Sequence, residues 1–126
     1  MDGPHAPTPR AANIGPRGRQ VRRAWGVAAI VSGVAVAIVL TVASAPPLWG
    51  IAVFVPWWLG VLGFEEARTR TCVALAARGA RNMDGREELV THSAERFLLA
   101  RQARAVRWRA TVLAAIGAGI VVGVLA

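Results

Sequence analysis

The sequence has no lysine, no tyrosine, one cysteine and two histidines, and each shortage removes a class of chemistry. A phosphate-cradling glycine loop needs a lysine to reach the phosphates, so none is possible here. Cys72 alone forms no internal disulfide, in keeping with a reducing compartment. Haem held by paired imidazoles inside a membrane needs histidines within the apolar runs, and His5 and His92 lie outside them. Zinc takes about four nitrogen or sulfur ligands, of which Cys72 and His92 would supply only a pair at unremarkable spacing. Ser32, Ser44 and Ser93 stand in no pattern that marks a nucleophile with its base. No catalytic, cofactor-binding or metal-ligating residue is therefore assigned, and a non-enzymatic protein is expected.

Charge is also missing, but in blocks. Residues 24–43, 48–64 and 110–126 contain no charged side chain. A helix needs about 20 apolar residues, and at least about 17, to cross a hydrocarbon core; all three blocks reach that length. Hydrophobic residues make up 55% of the chain, more than a soluble domain of this size can hide from water. The expected class is an all-α integral membrane protein with three transmembrane helices.

The basic residues set the expected orientation. Fifteen arginines against seven carboxylates leave a net charge of +8, which in a soluble chain would suggest nucleic acid. Position argues otherwise. Arg10, Arg17, Arg19, Arg22 and Arg23 precede the first block, the other ten lie between Arg68 and Arg109, and the connector around Pro46 and Pro47 has no charge. Retention of positive charge on the cytoplasmic side then predicts a cytoplasmic N-terminus and an extracytoplasmic C-terminus in a cell inner membrane, with anionic lipid headgroups as partners and no nucleic acid. The all-arginine usage suggests a GC-rich bacterial genome. A cleaved signal peptide ending at the Ala43-Ser44-Ala45 triplet is the rival reading of the first block. Its apolar stretch is longer than the 7–15 residues such signals use, and Pro46 after the triplet is a poor residue beside a scissile bond.

Along the chain, residues 1–22 are rich in proline and glycine and read as a disordered basic arm. Residues 23–44 form the first span, with Ala29, Gly33, Ala37 and Thr41 at four-residue spacing. The third span, residues 110–126, repeats the device as Thr111, Ala115, Gly119 and Gly123. Such ladders let helix backbones approach closely in lipid, so Ala29, Gly33, Ala37, Ala115, Gly119 and Gly123 are the expected helix-packing positions, within the chain, between copies, or with another membrane protein. Trp25, Trp49 and Trp108 are the expected interface anchors. The second span, residues 47–64, carries Pro56 near its middle and is expected to kink there; Trp57 and Trp58 beside it are expected to pack on the other helices, or else to line an apolar ligand groove.

Residues 65–109 read as a cytoplasmic, arginine-rich helical hairpin. One arm runs over residues 67–77 and stops at Gly79; Asp84 with Glu87 makes a capping box, and Ser93 offers a second helix start. Past Ser93 nothing interrupts the helix before the third span. Glu65 and Glu66 emerge at the headgroups, where pairing of Glu66 with Arg70 at i, i+4 accounts for them structurally. The functional alternative places Glu65 and Glu66 at the mouth of an ion path in a small oligomeric transporter or channel. The leading expectation is an accessory or scaffold subunit, or a homo-oligomer, that works through small-residue helix packing.

Overall fold

The computed structural model describes residues 11–126. It is mostly helical: α1 spans Pro16–Val42, a 3₁₀ helix Pro47–Val53 leads directly into α2 at Phe54–Thr69, a short α3 covers Val73–Ala77, and α4 runs over Ser93–Leu125. Two-residue strands β1 (Ala80–Arg81) and β2 (Glu88–Leu89) pair antiparallel, with Ala80 opposite Leu89. Three stretches, Pro16–Val42, Pro47–Thr69 and Ser93–Leu125, are long and apolar enough to cross a membrane. They give the chain a membrane location as a small integral membrane protein. All the described charged side chains gather at one end of the bundle.

α1 starts earlier than the sequence suggests. The expected disordered arm lies partly outside the described residues, His5 included, but residues 11–15 form a buried strap and helix begins at Pro16. Polar satisfaction holds the strap. Asn13 is fully buried; its Oδ1 accepts the Cys72 N–H at 2.6 Å and its Nδ2 donates to the Cys72 carbonyl at 3.1 Å. Gln102 does the same for Ala11, at 2.8 Å in each direction, and also donates to Thr71 Oγ1. Backbone bonds from Asn13 to Arg70 and from Asn82 to Asn13 complete the seat. The strap is thus ordered by burial of Ala11 and Ile14 together with the Asn13 and Gln102 side-chain amides that bond backbone on either side of the seam. Pro16 then supplies a preset φ at the first helical position.

Asp84 is the cap of α1, not part of a capping box with Glu87. Its Oδ2 accepts the Arg17 N–H at 3.0 Å and its Oδ1 the Gly18 N–H at 3.2 Å. The N-cap residue itself, Gly15, has no side chain to offer, and a Cβ there would lie 2.6 Å from the Asp84 carboxyl. A carboxylate from a distant loop serves the free N–H groups and the positive end of the helix dipole together. The other end of α1 closes with Ser44 at φ 52 and the Ala45 N–H bonded to Leu40, before Pro46 and Pro47 turn the chain.

In the second span, where a kink is expected at Pro56, the irregularity that the structure shows falls earlier. The change from 3₁₀ to α helix occurs at Val53 and Phe54, which places Pro56 in the first turn of α2, where a backbone N–H has no intrahelical partner to lose. Trp57 follows as the wedge of the bundle. Its indole fills the space beside Gly33 of α1 on one side and Gly117 of α4 on the other, 2.6 Å from where a Gly117 Cβ would stand. Its Nε1 donates to the Ile30 carbonyl at 3.2 Å. α1 and α2 meet backbone to backbone: a Cβ on Gly26 would sit 3.1 Å from the Gly60 carbonyl, and one on Gly63 2.8 Å from the Arg22 carbonyl. In lipid such close fit supplies much of the association energy that the hydrophobic effect supplies in water.

The segment between α2 and α4 is not the expected helical hairpin. α2 stops at Thr69 because Arg70 adopts a left-handed conformation (φ 56), with both the Arg70 and Thr71 N–H groups bonded to the Glu66 carbonyl. The Glu66 carboxylate then receives the Val73 N–H at 2.7 Å, and Asn13 holds Cys72 in extended conformation. A continuous arm over residues 67–77 would break all of these bonds, so only the five residues of α3 remain helical. Gly79 ends that helix with φ +63. Here an ordinary core forms: Ala11, Ala76, Val90, Leu99 and Ala103 pack together, and Ile14, Cys72, Leu75 and Ala80 form a second cluster. α4 runs unbroken from this core into its span, as its sequence indicates.

Candidate functional site

The carboxylates at the end of α2 are drawn into separate ion-pair arrangements. Glu65 takes a forked bond from Arg68, at 2.9 Å from Nε and 2.8 Å from Nη2, and a further one from Arg109 at 3.2 Å. Glu66 is 5% exposed and faces Arg22 of α1 at 3.2 Å. Its expected partner Arg70 is not used, because the left-handed turn carries that residue out of helical register. The geometry therefore ties α1, α2 and α4 together, and each carboxylate is already hydrogen-bonded to arginine. Residues 44 apart in sequence make two of these pairs, so no local spacing could have announced them.

The expected packing positions divide between inside and outside. Gly33 is buried under Trp57, Ala37 packs against the cluster of Val53, Ala118 and Val121, and Ala29 is half-buried. On α4 the buried stripe is Ala103, Val106, Ala110, Ala114, Ala118 and Val121. Ala115, Gly119 and Gly123 lie beside it, exposed, and a Cβ added at Gly119 or Gly123 meets nothing within 4 Å. The reason is local composition. Residues 114–119 read AAIGAG, so small residues occupy adjacent stripes and spacing alone cannot say which faces inward. Gly26, Gly50, Gly60, Gly63 and Gly117, which do make close contacts, were legible only as glycines within apolar helices, Gly60 and Gly63 at i, i+3 and Gly26 seven residues before Gly33.

The tryptophans mark both ends. Trp25 lies against Gly63, one turn from the Glu65 and Arg109 pair, and Trp108 adjoins Arg109 at the same end, 69% exposed. Trp49 is exposed at the opposite end. From Trp25 to Val42, and from Trp108 to Leu125, is about 25 Å at 1.5 Å per residue, close to the hydrocarbon thickness.

Among the grooves on the surface of the bundle, two adjoin the tryptophans beside Pro56. The first, about 410 Å³, is lined by Val34, Ala37, Ile38, Thr41, Trp57 and Val121; its one hydroxyl, Thr41, donates to Ala37 within its own helix. The second, about 340 Å³, lies between α2 and α4 and is lined by Trp58, Arg104, Arg107, Trp108 and Thr111. Both tryptophans beside Pro56 touch other helices, the Trp58 Nε1 donating to Thr111 Oγ1 at 3.1 Å, and each also lines one of these grooves. No protein-family model, no curated protein and no solved structure matches this chain.

Proposed function

We propose that the chain is a non-enzymatic inner-membrane protein that acts by helix association, as a homo-oligomer or as an accessory subunit of a larger membrane assembly. The observation that carries this reading is the outward stripe Ala115, Gly119 and Gly123, which has small-residue spacing yet lies exposed, with no partner at Gly119 or Gly123 among the described residues. A second helix laid along it gains close backbone contact at little cost in side-chain entropy. The orientation is N-terminus, strap and charged end in the cytoplasm, with Ser44 to Pro47 outside, supported by the confinement of arginine to one end. A transporter with Glu65 and Glu66 at its mouth is less favoured, because both carboxylates are engaged by arginine.

Gly119→Leu tests the association surface. It should shift the purified particle to smaller size, or release a co-purifying subunit, without altering the melting temperature of the chain; unchanged size and composition would remove the proposal. For orientation, Cys72 is buried and a poor reporter. In a Cys72→Ala background, Ser44→Cys should react with an impermeant thiol reagent in whole cells and Gly85→Cys only after lysis. The opposite pattern would invert the topology.

A further inference from the structure

We infer that the groove between α2 and α4 at the charged end is a discrete site for the headgroup of an anionic phospholipid. The argument starts from how arginine is used. Five ion pairs among the described residues engage Arg22, Arg68, Arg78, Arg81 and Arg109. Arg104 and Arg107 have no carboxylate within 4 Å among the described residues, and nearby Glu65 is already occupied by Arg68 and Arg109. Two unpaired guanidiniums therefore face one groove of about 340 Å³.

The rest of the groove suits a lipid better than a free anion. Thr111 donates to the Arg107 carbonyl at 2.8 Å and accepts from Trp58, so the floor has used its polar capacity internally and leaves the guanidiniums as the donors. Planar guanidinium groups bind phosphate oxygens in a forked geometry. Trp108 and Trp58 flank them with amphipathic rings that favour the glycerol level. Depth agrees. With Trp108 at the interface, Arg104 lies about 6 Å further out along α4, within the headgroup layer of about 5–7 Å. Basic pockets between spans at this level are the usual seat of anionic headgroups. Arg101 stands one turn beyond and adds to the field. The site needs only a charged end at a headgroup layer, and it leaves Gly119 and Gly123 free, so its failure and that of the association surface are separately readable.

Native mass spectrometry of the full chain, released from vesicles of mixed phosphatidylglycerol and phosphatidylcholine, tests the site. One phosphatidylglycerol should remain bound in preference to phosphatidylcholine, and R104Q/R107Q should lower its occupancy roughly tenfold or more. R17Q/R23Q, which removes the same charge at the start of α1, should keep it, and excess inorganic phosphate should not displace it. The singles R104Q and R107Q should each give part of the loss, so a double variant that failed to fold would still leave a readout. Equal loss in both double variants, no preference for the anionic lipid, displacement by inorganic phosphate, or protection of the groove by a second protein chain would each overturn the site.

Discussion

One helix face passes through two environments. Between Leu99 and Val106 the inward face of α4 packs under a strap that Asn13 ties to the Cys72 backbone and that Gln102 holds at Ala11. Between Ala110 and Val121 the same face meets glycine backbone, a tryptophan ring and no ion pair. At the charged end, burial of modest apolar clusters is combined with directional bonds, because water competes for every polar group. In the apolar half, lipid tails solvate leucine as well as a neighbouring helix does, and shape fit becomes the source of preference. The difference teaches that the two halves should fail separately, one by losing a bond and the other by gaining an atom.

Asn13→Leu should have the largest effect. It leaves the Cys72 N–H buried without a partner and removes one of two bonds to the Cys72 carbonyl, which still accepts from Ala76, at about 2–4 kcal/mol for one orphaned donor and one lost bond, and it should release the strap first. Proteolysis between Gly79 and His92 should accelerate while exchange in the spans is unchanged. Protection lost equally in both halves would show that they fold as one unit.

Gly33→Leu or Gly117→Leu should come next, at about 1–3 kcal/mol for overpacking a fitted site. Here the melting temperature in detergent should fall and Trp57 emission should shift, with the strap left protected. A neutral result at both positions would mean that the ring has room to move and that the seam is looser than its geometry.

Asp84→Ala should be the mildest, about 1 kcal/mol for loss of a helix cap, and should be felt in the exchange of Arg17 and Gly18. Its effect sharpens the contrast if confined to the start of α1. Spread into the spans, it would show that the cap governs how α1 sits against α2.

Much of this architecture could be read directly. Uninterrupted apolar runs announced the spans, Gly33 pointed at a close contact, and α4 was visible as one helix from Ser93 because nothing breaks it. The misreadings share a cause. Asn13 contacts Cys72 across 59 positions, Gln102 contacts Ala11 across 91 and Asp84 reaches Arg17 across 67, and pattern reading sees only a few residues at a time. Locally, residues 11–15 look unable to bury anything and residues 67–77 look helical; each judgement was sound until a distant amide or a left-handed arginine offered better hydrogen bonds. Similarly, Pro56 looked central because the apolar run was counted as one helix, whereas the chain changes helix type just before it.

What sequence alone determined is therefore the class of solvent each segment requires, because transfer of charge into hydrocarbon is so costly that the absence of charge over 17 or more residues is informative by itself. Tertiary structure decided which of several small-residue stripes faces inward, which carboxylate meets which arginine, and whether residues 11–15 are ordered. Those choices depend on fit and hydrogen bonding between residues far apart in the chain, and no periodicity carries them.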